Sequence, residues 1–221
     1  MLFPLVVFDC DGVILESVNA KTEAFYRVAL KWGPDVAQKF KGYHLGHLGI
    51  SRFVKFEWLF REVLHEDLTP AVSEDLGRQF ADICLEEVAS SPLVPGCLEC
   101  LNYLSGKTAL YIASGMPDEE LNAIVKARGL EKYFTATLGS PPGKTELLRS
   151  IVLKEGIAPE RTLMVGDSNT DLKAAQEVGC AFFGRGARFK DSGWPWHEDL
   201  TGLLEYLQET GEGEPKALQT L

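Results

Sequence analysis

The chain has 221 residues, long for one small domain and short for two full ones, so one core carrying an insertion is expected. An apolar fraction of 45% with 24% charged residues fits a soluble fold with a sizeable core. The net charge of −10 argues against a nucleic-acid-binding surface, which needs a basic face. No apolar run is long enough to span a membrane, and the first one stops at Asp9 with no basic region before it, so it reads as a strand and not as a signal peptide. The five cysteines are odd in number and show no disulfide spacing. Cys97 and Cys100 form a CxxC with no second pair or nearby histidine to complete a zinc site, so buried thiols are expected there. Reduced thiols and the missing signal point to a cytoplasmic protein.

The first element, Leu5-Val6-Val7-Phe8, has the branched and aromatic residues of a buried parallel strand. It runs into Asp9, Cys10, Asp11 and Gly12. Residues i and i+2 of a strand share a side, so Asp9 and Asp11 are expected to project towards one place at the strand's carboxyl end. Open α/β sheets hold their ligands there. Two carboxylates so close need a cation, a proton or hydrogen bonds to compensate them. An Asp-Gly turn after a strand would account for only one of the two.

From Val18 to about Ser91 the pattern is helical: Ala24, Phe25, Val28 and Ala29, then Phe53, Phe56, Leu59, Phe60 and Val63, then a run from Leu76 to Val88. Between them Gly42 to Gly49, with His44 and His47, reads as a loop whose histidines are solvated or structural. Ser91-Pro92-Leu93-Val94-Pro95-Gly96 is a linker. Strands and helices then alternate. Strands are expected at Thr108–Ala113, Phe134–Leu138, Thr162–Val165 and Cys180–Phe183, and helices at Asp118–Arg128, Lys144–Glu155 and Asp171–Val178. This rhythm predicts an α/β fold, a doubly wound parallel sheet that includes the first strand and carries an inserted helical unit. Trp194-Pro195-Trp196 is either a packed corner or an exposed patch, and Glu209 to Leu221 reads as a frayed tail.

Three more strand ends carry reactive groups. Ser114-Gly115 offers a hydroxyl and backbone N–H groups that could hold a phosphate oxygen. Lys144 opens a helix, where the dipole favours anions, so its ammonium is expected to pair with something anionic. Asp167 leaves an apolar strand and Asp171 follows near a helix start. A helix N-cap explains one of these acids but not both. Together Asp9, Asp11, Ser114, Lys144, Asp167 and Asp171 suit a hard cation such as Mg²⁺ and a substrate phosphate that the cation and the lysine neutralise. Asp9 can then serve as nucleophile, forming an aspartyl-phosphate. Asp11 is placed to protonate the leaving oxygen and then activate water, which needs its pKa raised above the ordinary aspartate value of about 3.9.

These motifs, DCDGV at Asp9–Val13, Ser114-Gly115, Lys144 and GDSNTD at Gly166–Asp171, resemble in content and order those of the haloacid dehalogenase superfamily, and the match covers the whole core. The resemblance implies a Rossmann-like core of residues 1–15 and 93–221 and a helical cap of residues 16–92, hinged at Glu16-Ser17 and Ser91-Pro92. It implies a phosphoric monoester hydrolase of the phosphoglycolate phosphatase or β-phosphoglucomutase type. Asp9 would be the nucleophile and Asp11 the acid/base. Mg²⁺ would be held by the Asp9 carboxylate, the Asp11 backbone carbonyl and Asp167, with Asp171 in support, and Ser114, Gly115 and Lys144 would bind the phosphoryl group. The partner would be a small phosphorylated metabolite. Asp11 argues against dehalogenases, which lack it. A phosphonate-cleaving branch uses a cap lysine as Schiff base, and Lys21, Lys31, Lys39, Lys41 and Lys55 are available for that role.

Gly49-Ile50-Ser51-Arg52 is similar to the β-phosphoglucomutase cap, where the matching arginine grips a distal phosphate. Lys21 standing where mutases have a histidine, and SPPGKTELL in place of a KPxP pattern, argue against a mutase. A surface arginine on a cap helix explains Arg52 as well as a substrate contact does. A catalytically idle binding module is the non-enzyme alternative, and the chemically competent motif residues speak against it. Arg52, Lys55, Lys21, His44 and His47 are the candidates for substrate specificity.

Overall fold

The structure is a computed structural model that describes residues 3–212. Its sheet runs in the order β3-β2-β1-β4-β5-β6, with every neighbouring pair parallel. The strands are β1 (Leu5–Phe8), β2 (Ala109–Pro117), β3 (Ala136–Ser140), β4 (Thr162–Gly166), β5 (Ala181–Arg185) and β6 (Trp196–His197). The helices between and after them are α5 (Cys97–Leu104), α6 (Asp118–Ala127), α7 (Lys144–Glu155), α8 (Asn169–Val178) and α9 (Leu200–Glu212). The α/β reading holds. The short β6 was not foreseen, because two residues leave no periodicity to read.

The period of two in β1 divides the core. Val6 and Phe8 join a cluster on one face with Leu101, Ile112, Ile124 and Leu203. Leu5 and Val7 join one on the other face with Leu148, Ile151, Ala174 and Phe182. Both faces of β1 are therefore covered by helices, as a parallel strand requires. The registers Phe8↔Ile112 and Phe8↔Val165 then fix which residues follow side by side past the strand ends. The cysteine expectation also holds. Cys97 and Cys100 are buried in α5, and burial, reinforced by nearby acidic groups, pushes both thiols up to about 12. Trp194 is a packed corner, half-buried edge-on against Phe182 at 6.1 Å. The tail expected from Glu209 is helical as far as Glu212, and its remainder lies outside the described residues.

A second group of helices lies between β1 and α5 in the chain: α1 (Val18–Ala29), α2 (Pro34–Gly46), α3 (Arg52–Trp58) and α4 (Pro70–Ser90). Phe25 is their hub, with Phe40 at 5.2 Å and Phe80 at 4.5 Å between ring centroids. The two chain segments that join this layer to the sheet run side by side. Glu16 N–H donates to Pro92 O at 2.9 Å, Val94 N–H donates to Ile14 O at 3.1 Å, and Leu15 bridges Leu93 antiparallel. Arg185 pairs with Glu16, and Arg128 donates to Ser91 O at 2.8 Å.

One expectation for the helical layer fails. His44 lies within α2 and not in a loop. Gly42 and Gly46 each weaken a helix by about 1 kcal/mol, but Ala37, Phe40 and His44 form a buried face that outweighs them. Among the described residues no helix is long and apolar enough to cross a membrane.

Candidate active site

Asp9 follows the last residue of β1, and its N–H donates to Val165 O at 2.9 Å, so its position is set by β4 next door. One carboxylate oxygen accepts from Cys10 N–H at 2.7 Å and the other lies 2.6 Å from Lys144 Nζ. Lys144, the first residue of α7, also pairs with Asp171 Oδ1. It does pair with anions, which explains a lysine at a helix start. The other oxygen of Asp171 accepts from the Ser168 N–H at 3.1 Å and from its hydroxyl at 2.5 Å. Ser168 is the N-cap of α8 and Asp171 its third residue, joined in a capping box, so the helix begins at Asn169 and not at Asp171. Carboxylate oxygens of Asp9, Asp167 and Asp171 lie within 4.8 Å of one another.

Asp11 is not part of that cluster. Its carboxylate accepts from the Ser17 hydroxyl at 2.6 Å and pairs with Lys21 of α1. Asp9 and Asp11 do border one cavity at the carboxyl end of β1, as expected, but β1 ends at Phe8 and the chain turns at Gly12 (φ 75°), so their carboxylates take different partners. Ser114 lies fully buried in β2, which extends four residues beyond Ala113, and its hydroxyl accepts from Met116 N–H at 3.1 Å. Gly115 is where the helical layer touches the sheet. A Cβ there would come within 2.5 Å of Gly49 O, and Thr170 donates to Leu48 O at 2.8 Å. The segment between α2 and α3 is thus docked over the strand ends.

Beneath it is a cavity of about 50 Å³, walled by Asp9, Asp11 and Gly115 on the sheet side and by Lys21, His44 and Lys55 on the helical side. Arg52 also borders it but is buried, not a surface arginine. It pairs with Glu120 of α6, donates to Gly77 O at 3.3 Å and stacks over Phe80 at 4.5 Å. Lys55 is buried with its Nζ 2.9 Å from His44 Nδ1. His47 is exposed and stacks on Tyr43. Of the specificity candidates, Lys21, His44, Arg52 and Lys55 meet at the cavity and His47 does not. Sequence reasoning missed Ser17 and Glu120. Glu120 lies in the first turn of α6, where an acid needs no explanation beyond the helix dipole.

The charges are strongly displaced from their ordinary states. Burial pushes the Asp9 carboxyl up, against the pull of Lys144 and with the help of Asp171, Asp167 and Asp11. Asp167 rises to about 7, through burial and then Asp171. For Lys144 burial acts downwards, but Asp171 and Asp9 outweigh it and keep the amine protonated. Asp9 and Asp167 therefore hold protons that lone carboxylates would release, and a divalent cation would displace them. Asp11 behaves oppositely. Burial would raise it, but the Lys21 charge and the hydrogen bonds from Lys21 and Ser17 hold it below the usual carboxylate range. Burial, with Lys55 adding to it, lowers His44 to about 2, so the ring is neutral.

The donor set fits a hard cation: only oxygens converge, and Asp167 makes no hydrogen bond or ion pair through its carboxylate among the described residues. Asp9 and Asp171 each already share Lys144 and accept from Cys10 or Ser168 as well, so Asp167 with Asp9 beside it is the pair that would hold a cation.

A buried carboxylate-lysine-carboxylate cluster at the edge of a parallel sheet, under a helical layer, defines a class. The chain belongs to the haloacid dehalogenase-like hydrolases, whose family model matches residues 3–179. It is similar to a probable phosphatase, IndB, of Dickeya dadantii, with 29% identity over 82% of this chain and 80% of the relative. It is equally similar to the phosphoglycolate phosphatase of Vibrio parahaemolyticus, at 29% identity over 81% of this chain and 82% of that one. In fold it is similar to the crystal structure of β-phosphoglucomutase from Clostridium difficile. That match has a TM-score of 0.78 at 17% identity and covers 94% of this chain and 96% of the other.

Proposed function

We propose that the protein is a Mg²⁺-dependent phosphatase that hydrolyses a small phosphorylated metabolite through an aspartyl-phosphate on Asp9. The observation that carries this reading is the Asp9–Lys144–Asp171 chain of charges beside the free carboxylate of Asp167. The names of the curated relatives, one a probable phosphatase and one a phosphoglycolate phosphatase, support it. Mg²⁺ on Asp9 and Asp167 would neutralise charge on the substrate phosphate. Lys144 would hold the Asp9 carboxylate in place and draw the phosphoryl oxygens towards it, while Ser114 and Gly115 would offer a hydroxyl and N–H groups. The Asp9 oxygen attacks phosphorus as the ester oxygen leaves, and water then cleaves the acyl-phosphate to return the carboxylate and free phosphate.

Asp11, held ionised by Lys21, suits the second of these steps, in which it accepts a proton from water. The first step needs it protonated. Loss of the Lys21 contact would leave burial as the dominant influence and raise its pKa, so movement of α1 would couple to the acid form. Residues 16–92 would be a cap that excludes water when docked through Gly49. Arg52, already taken by Glu120 and Gly77 O, is not free to grip a distal phosphate as the mutase reading requires.

The test is phosphate release from phosphorylated sugars, glycolate, polyols and nucleotides with Mg²⁺ and with EDTA, with isomer products assayed in the same reactions. Release that EDTA abolishes is expected. Isomerisation without release would establish a mutase, and neither across the panel would favour an idle binding module.

A further inference from the structure

The cavity holds three cations from the helical layer, and two of them are answered. Lys21 pairs with Asp11, and Arg52 pairs with Glu120. Lys55 has no carboxylate within ion-pair distance among the described residues, although its side chain is only 2% exposed. Its neighbours are His44 Nδ1 at 2.9 Å and the face of Phe25 at 4.8 Å. Neither carries a charge to balance it. When Lys55 is protonated, its ammonium donates to Nδ1, which places the ring proton on Nε2. That buried atom has no partner among the described residues. An ammonium has three donors, and His44 takes one. Burying an ion without a counter-ion costs several kcal/mol, so proteins rarely keep one idle. Lys55 also shares its cavity with Asp9 and Asp11, the residues at which the proposed chemistry occurs.

We propose that Lys55 sets substrate specificity by receiving a carboxylate of the substrate, so that the substrate is a short phosphorylated hydroxy acid. This inference rests on the phosphatase reading. The geometry narrows the class: Asp9 and Lys55 line one cavity of only about 50 Å³, so the phosphoryl group and the carboxylate that Lys55 receives are separated by few atoms. A planar carboxylate also fits such a space better than a second tetrahedral phosphoryl group. A depressed amine pKa of about 7, caused by burial and then by Lys21, agrees with a cation whose counter-ion arrives with the ligand.

The experiment compares 2-phosphoglycolate with 2-hydroxyethyl phosphate, which keeps the two-carbon skeleton but replaces the carboxylate by an alcohol. The wild-type kcat/KM for phosphate release is expected to favour the acid about 100-fold, and Lys55→Met to bring the ratio to within about threefold of unity. Lys55→Gln serves as the second variant if Lys55→Met does not fold. A wild-type ratio near one, or a ratio kept in both variants, overturns the proposal. Calorimetric binding of both esters to Asp9→Asn separates the two readings. No release from either ester by the wild type, with the acid still bound about 100-fold tighter and that preference lost on adding Lys55→Met, would sink the phosphatase and keep Lys55 as the carboxylate site. Equal binding of the two esters would sink the Lys55 assignment.

Discussion

The two walls of the cavity are charged in different ways. On the sheet side the Lys144 cluster is answered within the wall, Lys144 by Asp9 and Asp171 and Asp171 by Ser168, and only Asp11 reaches across the cavity for its partner, Lys21. On the helical side the charges are answered elsewhere or not at all: Lys21 by Asp11 across the cavity, Arg52 by Glu120 of α6, and Lys55 by no carboxylate. A wall that balances itself keeps its geometry whether or not a substrate is present, as chemistry requires. A wall whose charges reach across the gap gains its full balance only when docked and filled. On the proposed reading, positioning falls to the sheet and selection to the helical layer, two separate parts of the chain.

The sheet-side wall depends most on Lys144. Lys144→Met would leave three carboxylates without their shared cation and is expected to cost about 3–5 kcal/mol in urea unfolding with EDTA present, together with most of the turnover. The sign with pH is fixed by the raised carboxyls. Asp167 titrates at about 7 in the folded protein and lower when unfolded, so the native state binds the extra proton between those values. Stability from this group is lost as pH rises through about 7, and the variant's deficit should grow with it. A variant as stable as the wild type at pH 8 would mean that this wall does not balance its own charges.

A smaller effect is expected across the gap. Lys21→Met removes the charge and the hydrogen bond that hold Asp11 below the usual carboxylate range, leaving burial to raise it. The acidic limb of the kcat/KM profile should then move to higher pH, and turnover at neutral pH should fall by about 10²-fold if Asp11 is the base. An unmoved limb would separate Asp11 from Lys21.

The same contrast decides what the sequence could tell. Asp9 and Asp167 follow the ends of apolar strands, and Ser114-Gly115 follows the apolar run within β2; a parallel sheet must bring such positions to one edge. Lys144 drew attention because a cation opposes the dipole of the helix it starts. The helical wall has no such rule. Arg52 meets Glu120 across 68 residues and Lys55 meets His44 across 11, and both meetings depend on how helices pack. The glycines at 42 and 46 made α2 read as a loop, because the face of Ala37, Phe40 and His44 that overrides them becomes decisive only once Phe25 is packed against it. The turn that gives the Asp11 carboxylate Ser17 and Lys21 as partners was equally hidden, because it depends on where β1 stops.

On the proposed reading Asp9 takes the phosphoryl group. The most direct measurement is acid quenching during turnover of whichever ester the panel selects, followed by mass spectrometry of the peptide containing Asp9. A phosphoryl adduct on Asp9, labile to hydroxylamine and absent from Asp9→Asn, is the expected result. Turnover without any adduct on Asp9, together with retained activity in Asp9→Asn, would contradict it.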